Sequence, residues 1–142
     1  MKAAILLVAV FCFLFFSSCD DDSSNNTSRQ IYKYTGYDSS WNTIITGYLW
    51  IDLIDSVQVK GRWDFDLVGN GENLGPQIGK GKFEGTTNML GTMSLNLNPE
   101  MIDNNVLLDG SLRLPYRFDG MWSYIGFPGQ INWGRFEATQ LH

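Results

Sequence analysis

Cysteine and histidine are almost absent from this chain. Its two cysteines, Cys12 and Cys19, lie near the amino end, and its one histidine is the last residue, His142. A disulfide, a zinc-thiolate site or a cysteine nucleophile would need cysteines in the folded part of the chain. A Ser-His-Asp triad or a multi-histidine metal site would need a positioned imidazole, and a terminal residue is commonly frayed. The sequence therefore predicts no catalytic residue, no metal site and no cofactor.

Basic charge is also scarce. The chain has ten lysines and arginines against fifteen aspartates and glutamates, and its net charge is −5 at pH 7. A protein that binds nucleic acid presents a basic face to the phosphates. We therefore expect no nucleic-acid partner.

The amino end carries a short apolar run. Lys2 supplies a positive charge, the fourteen residues from Ala3 to Phe16 carry none, and Ser17 and Ser18 are small. This is the layout of a secretory signal, and the run is too short to span a bilayer as a stable helix. The sequence predicts a signal peptide over residues 1–18.

The end of this run, Phe16-Ser17-Ser18-Cys19, resembles the lipobox of bacterial lipoproteins. The resemblance implies that Cys19 receives a diacylglycerol and attaches the chain to a membrane, since two or three acyl chains make a stable anchor. The alternative is an ordinary signal peptide that is cut near Ser18 and leaves Cys19 as a free thiol.

Three acidic residues, Asp20, Asp21 and Asp22, follow the cysteine directly. They resemble the surface-export signal of lipoproteins in one group of Gram-negative bacteria, which implies an outer-membrane lipoprotein at the cell surface. Other Gram-negative groups use Asp after the cysteine for retention, so the periplasmic face of the inner membrane is the alternative location.

The composition changes near Arg29. Ser23 to Ser28 are small, uncharged and polar, which is typical of a flexible tether, and we assign residues 19–29 to a lipidated cysteine and its tether. Aromatic residues and glycines become frequent afterwards. Residues 30–142 have a suitable length for one small domain.

Polar and apolar residues alternate along this domain. In the stretch from Val57 to Leu67, Val57, Val59, Trp63, Phe65 and Leu67 share one face, and the polar residues lie on the other. Alternation with a period of two indicates antiparallel strands with one buried face.

Glycine recurs two residues before a large apolar side chain. The repeats are Gly47-Tyr48-Leu49, Gly61-Arg62-Trp63, Gly81-Lys82-Phe83, Gly91-Thr92-Met93, Gly110-Ser111-Leu112, Gly120-Met121-Trp122 and Gly134-Arg135-Phe136. Glycine on the inner face lets a strand coil tightly. We predict an all-β, antiparallel, eight-stranded up-and-down barrel, with a curved β-sandwich as the alternative. In size and rhythm the domain resembles the calycins, the lipocalin and avidin group of small barrels, at the level of architecture.

Five aromatic residues are the candidate binding residues. The alternation predicts that Trp63, Trp122 and Phe136 point into the barrel, where they either fill the core or line a cup for a small apolar ligand. Tyr48 and Trp50 lie on the opposite face of their strand and form a candidate surface for an envelope partner.

Four carboxylates, Asp52, Asp55, Asp64 and Asp66, lie close together in the sequence. Paired carboxylates serve glycoside hydrolysis or bind calcium, but lysine and arginine share their face, which favours a solvated charged surface. Asp55-Ser56-Val57 resembles an O-glycosylation site, with Ser56 as the acceptor.

These observations favour a non-enzymatic envelope lipoprotein that binds a small apolar ligand or an envelope partner. A structural lipoprotein without a ligand is the alternative, and a carboxylate-dependent hydrolase is the least favoured hypothesis.

Overall fold

A computed structural model describes residues 29–55, 57–113 and 116–142. Within these ranges lie eight β-strands: β1 (Gln30–Tyr37), β2 (Thr43–Ile54), β3 (Gln58–Leu67), β4 (Gly79–Thr87), β5 (Thr92–Asn96), β6 (Asn104–Arg113), β7 (Arg117–Gly126) and β8 (Gly129–Gln140). Cys19, Asp20 to Asp22 and Ser56 lie outside the described residues. The described part contains no helix of the length and apolar character needed to cross a membrane.

The strands form a closed antiparallel barrel in which each strand pairs with its neighbours in sequence. The barrel closes because β1 pairs with β8, from Tyr32 opposite Gln140 to Tyr37 opposite Arg135. This confirms the predicted up-and-down barrel and excludes the curved sandwich.

Apolar side chains fill the interior. The largest fully buried side chains are Trp122, Tyr32, Tyr34, Phe65, Phe83, Phe118 and Phe136. Burial of each such side chain contributes about 1.5–3 kcal/mol to folding. The Tyr34 ring stacks on Phe65 with 4.1 Å between the ring centroids, and burial raises the pKa of the Tyr34 hydroxyl.

Two residues depart from the predicted alternation. The pattern places Val57 and Leu67 on the inner face, but they are 56% and 48% exposed. Val57 precedes β3, and Leu67 is its last residue. Both therefore lie at the rims of the barrel, where an inner-facing position is no longer covered by the opposite wall.

Inner-face glycines lie directly opposite the bulky inner side chains of neighbouring strands. On β3 and β4, Trp63 is opposite Gly81, and Gly61 is opposite Phe83. On β7 and β8, Trp122 is opposite Gly134, and Gly120 is opposite Phe136. At Gly61, Gly81 and Gly134 the opposite aromatic ring occupies the space that the missing side chain leaves, which is how a narrow barrel accommodates so many large residues.

The barrel thus contains two halves with the same local arrangement, one around β3 and β4 and the other around β7 and β8. In the first half, the Trp63 indole Nε1–H donates to the Leu97 carbonyl over 2.9 Å. In the second half, the Trp122 Nε1–H donates to the Tyr37 carbonyl over 2.8 Å. Each indole passes over the glycine of the next strand and bonds to the segment beyond it.

The second strand of each pair repeats in sequence as well. β4 contains Gly81-Lys82-Phe83-Glu84, and β8 contains Gly134-Arg135-Phe136-Glu137. The two strands therefore offer a comparison within one molecule, because the same pattern of residues lies in two different surroundings.

The start of β1 and the longer loops lie at opposite rims. Arg29 directly precedes β1 and shares its rim with the β4–β5 turn. Residues 68–78 connect β3 to β4 at the other rim, where Leu74 of this loop is 7% exposed and joins the core. This loop therefore closes the rim that is farther from Arg29.

The surroundings of the two repeated glycines predict different effects of the same substitution. A Cβ at Gly134 would overlap the Tyr37 carbonyl oxygen of β1, whereas the atoms nearest to a Cβ at Gly81 belong to the Trp63 ring, at 2.8–2.9 Å. We expect Gly134→Ala to lower the free energy of unfolding by about 1–3 kcal/mol, since backbone must move. Gly81→Ala should cost less, because only a side chain must move. Urea unfolding measures both, and equal losses would contradict the difference.

Candidate functional site

The five candidate aromatic residues lie on two sides of the barrel wall. Trp63, Trp122 and Phe136 point inward and are 3%, 0% and 1% exposed. Tyr48 is 44% exposed on the outer face of β2, with its ring centroid 5.8 Å from that of Trp50. The inward residues are part of the core, and the accessible aromatic surface is on the outside.

β4 is covered unequally by its two neighbours. β3 pairs with β4 from Phe65 opposite Gly79 to Gln58 opposite Thr86. β5 is short and pairs only with the stretch from Glu84 to Thr87. Among the residues that the structure describes, positions 79–83 therefore have no strand partner on the β5 side.

The backbone of this uncovered stretch has hydrogen-bonding groups directed outward. Successive residues of an antiparallel strand direct their N–H and C=O groups alternately to the two sides. The Thr87 N–H donates to the Val57 carbonyl, on the β3 side. Every second residue of β4 has the same direction as Thr87, so the backbone groups of the odd-numbered residues point to β3. The backbone groups of Lys80 and Lys82 point to the uncovered side. In the described ranges their N–H and C=O groups have no backbone partner.

A cleft of about 440 Å³ lies beside this edge, and we call it the β4 cleft. Its volume falls in the range of small-ligand sites. Its apolar lining consists of Trp63, Pro76, Ile78, Leu97, Pro99 and Met101. Two neighbouring clefts of about 430 and 330 Å³ share Lys82 with it and extend over the outer faces of β3 and β4. The smaller one reaches Trp50, so this candidate residue borders the same surface.

Hydrogen bonds hold the two walls of the β4 cleft in place. The buried Gln77 side chain donates from Nε2 to the Leu74 carbonyl over 2.7 Å. Asn98 donates from Nδ2 to the Pro76 carbonyl over 3.0 Å, which ties the segment after β5 to the β3–β4 loop. The Trp63 indole bonds to Leu97 of the same segment. The walls of the cleft are therefore held in place by hydrogen bonds within the chain.

Two lysines on the rim of the β4 cleft form no ion pair among the described residues, although Asp64 of β3 lies opposite Lys80. Among the described residues, Lys80 and Lys82 have no carboxylate oxygen within 4.0 Å. Lys60 and Arg62 differ, because they lie 3.3 Å from Glu84 and 3.5 Å from Asp52 respectively. Glu100 also lines the cleft. The two lysines remain available to a negatively charged partner.

β1 covers the corresponding edge of β8 over a longer stretch, from Arg135 to Gln140, and within the described ranges residues 129–134 have no strand partner on that side. Arg135, which occupies the position of Lys82 in the repeated sequence, lies opposite Tyr37 of β1. Its guanidinium carbon lies 4.7 Å from the centre of the Trp41 ring. Gly134 is buried, whereas Gly81 is only half-buried. The position of Lys82 is thus uncovered at β4, whereas its counterpart Arg135 is covered at β8.

Two of the four carboxylates near β2 and β3, Asp52 and Asp55, are held by separate contacts. Asp52 forms ion pairs with Arg29 at 2.6 Å and Arg62 at 3.5 Å. Asp55 accepts backbone hydrogen bonds from Gln58 and Val57, which lower the pKa of its carboxyl group. Within the described ranges, no group of three or more His, Cys, Asp or Glu residues is placed to hold a metal ion.

Some residues of the β4 cleft are not among the sequence-based candidates. Ile78, Pro99 and Met101 lie in or beside loops, where alternation gives no prediction. One signal is present in the sequence, because Asn98-Pro99 follows a strand of five residues, and a strand that ends early leaves its neighbour uncovered.

Comparison of the chain with protein-family models, curated proteins and solved structures gives no significant match. The likeness to calycins therefore stays a prediction from the sequence, and the function of the β4 cleft is argued from its geometry.

The indole of Trp63 predicts a local effect of substitution. Trp63→Phe removes the donor to the Leu97 carbonyl, and an unsatisfied buried acceptor costs about 1–3 kcal/mol. We expect lower stability and faster amide hydrogen exchange in residues 97–101. Trp122→Phe is the matched control, since it removes the equivalent bond of the other half and should leave exchange in 97–101 unchanged. Unchanged exchange in Trp63→Phe would show that the indole does not hold this wall.

Proposed function

We propose that this protein is a non-enzymatic lipoprotein of the bacterial cell envelope that binds a partner in the β4 cleft. Cys19 carries the lipid anchor, Asp20 to Asp22 direct export, and the protein resides in the outer membrane, exposed at the cell surface. The lipobox Phe16-Ser17-Ser18-Cys19 supports the anchor.

The observation that carries the binding function is the contrast between interior and exterior. The interior is occupied by aromatic side chains that are almost fully buried. On the outside, the β4 cleft lies beside backbone groups of Lys80 and Lys82 that are directed away from β3. This contrast favours an envelope partner on the outer surface over a small apolar ligand inside the barrel.

The position at which the tether joins the barrel agrees with this function. Arg29, the last residue of the proposed tether, is bound to Asp52 near one rim. The uncovered residues 79–83 form the start of β4, which is the half farther from that rim. A membrane at the end of the tether would therefore leave the β4 cleft accessible.

The lipid anchor is tested by one substitution. Cys19→Ala removes the acceptor sulfur, and we expect it to abolish fatty-acid labelling and to release the protein from membranes into the soluble fraction. Ser18→Ala is the control, because it keeps a small residue before the cysteine and should keep the label. Continued labelling of Cys19→Ala would contradict the lipoprotein assignment.

Binding in the β4 cleft is tested by crosslinking in the native envelope. Met101 lines the cleft, and Met121 lies on the outer face of β7; each is 45% exposed. We expect a photo-crosslinking amino acid at position 101 to form one defined adduct, identified by mass spectrometry, and the same amino acid at 121 to form none. The adduct should disappear when Pro99→Trp fills the cleft.

A structural lipoprotein without a ligand makes the opposite prediction. It would give no adduct at 101, or the same adducts at both positions. Either result would overturn binding in the β4 cleft.

A further inference from the structure

We infer that the partner in the β4 cleft is an extended acidic peptide segment, which adds to the uncovered edge of β4 as a short strand. This inference rests on the proposed function and specifies the chemistry of its partner.

The backbone of β4 sets the first requirement. Lys80 and Lys82 each direct one donor and one acceptor to the same side, and they are two residues apart, a spacing of about 7 Å along a strand. An extended peptide presents its own N–H and C=O groups with the same two-residue repeat. Addition of a strand to an exposed sheet edge is an established mode of peptide recognition in which main-chain bonds supply affinity.

The chain's own next segment cannot supply these bonds. Since Glu84 lies opposite Asn96, continuing the register would place Asn98 opposite Lys82. The chain turns away at this point instead, because the Met101 N–H donates to the Asn98 carbonyl over 3.0 Å. Pro99, inside the turn, has no N–H to donate.

Charge indicates the partner's side chains. Lys80 and Lys82 lie on the outer face of β4 and have no carboxylate partner among the described residues. Side chains opposite each other on paired strands interact directly, so glutamate or aspartate opposite these lysines is favoured. A second copy of this chain would bring the same lysines to its own β4 edge, and lysine on an edge strand opposes such pairing.

The apolar lining of the cleft indicates which side chains the peptide carries between its acidic residues. A peptide residue opposite Gly81 would face inward, towards the Trp63 ring that lies against this glycine. Apolar Trp63, Pro99 and Met101 line this space. The favoured segment therefore alternates acidic and apolar residues.

The test measures amide hydrogen exchange by NMR in the otherwise complete Cys19→Ala chain. The probes are capped heptapeptides in which Glu alternates with Val, Leu or Phe. We expect the amides of Lys80 and Lys82 to exchange rapidly in the free protein and at least about ten-fold more slowly with saturating peptide, since a hydrogen-bonded amide must open before it exchanges. The amides of Gly81 and Phe83, which face β3, should be protected in both states and serve as internal controls.

Two matched controls separate strand addition from charge attraction. Peptides in which Lys replaces Glu should not bind, and N-methylation of the peptide residues that face β4 should abolish protection while leaving the charge unchanged. The Lys80→Glu, Lys82→Glu double variant should show the opposite charge preference and bind the lysine peptides. Arg113→Glu reverses a charge on β6, away from the cleft, and should leave the preference for acidic peptides unchanged.

Each other outcome overturns the inference. Lys80 and Lys82 amides protected in the free protein would show that the edge is closed. No protection with any peptide, or protection that survives N-methylation, would exclude strand addition. A specific adduct at Met101 without peptide protection would keep the proposed binding function and overturn only this inference. Peptide protection without an adduct would show that the edge can bind an acidic peptide but holds no partner in the envelope, which overturns the proposed function and the inference that rests on it.

Discussion

The fold depends on the pairing of an inner-face glycine with a large inner side chain on the neighbouring strand. Trp63 opposite Gly81 and Trp122 opposite Gly134 are the clearest cases. A barrel of eight strands has an interior just wide enough to be filled by side chains, so each indole fits because the opposite position on the following strand is empty. The same glycines allow the strands to coil, and packing and curvature therefore have one common cause.

This constraint also explains why the two halves differ at their edges. In both halves an indole passes over the glycine and bonds to a carbonyl beyond it. At β8 the segment beyond is β1, which pairs with Arg135 to Gln140 and so covers the counterpart of Lys82. At β4 the segment beyond is Leu97, whose N–H still donates to the Val106 carbonyl of β6. Its pairing with β4 has ended, and the indole bond takes the place of that pairing. The barrel stays closed while part of the β4 edge is left uncovered.

Period-two alternation predicted the class of fold and the inward direction of Trp63, Trp122 and Phe136, since side-chain direction in a strand is a local property. The glycine repeats predicted the number of strands, since each repeat marks one strand. Local patterns failed where burial depends on distant parts of the chain. Val57 and Leu67 are exposed because the strand leaves the closed wall, and Leu74 is buried because its loop folds over the rim.

The sequence by itself determined that the domain is an antiparallel barrel with aromatic residues inside, because alternation and glycine spacing act over a few residues. It also contains the lipobox-like segment before Cys19, whose proposed role is a matter of processing rather than of folding. Only the tertiary structure decided that β5 stops opposite Glu84 and that Lys80 and Lys82 face an open cleft. Asn98-Pro99 marks the end of β5 in the sequence, but strand register and the extent of pairing depend on the closure of the whole barrel.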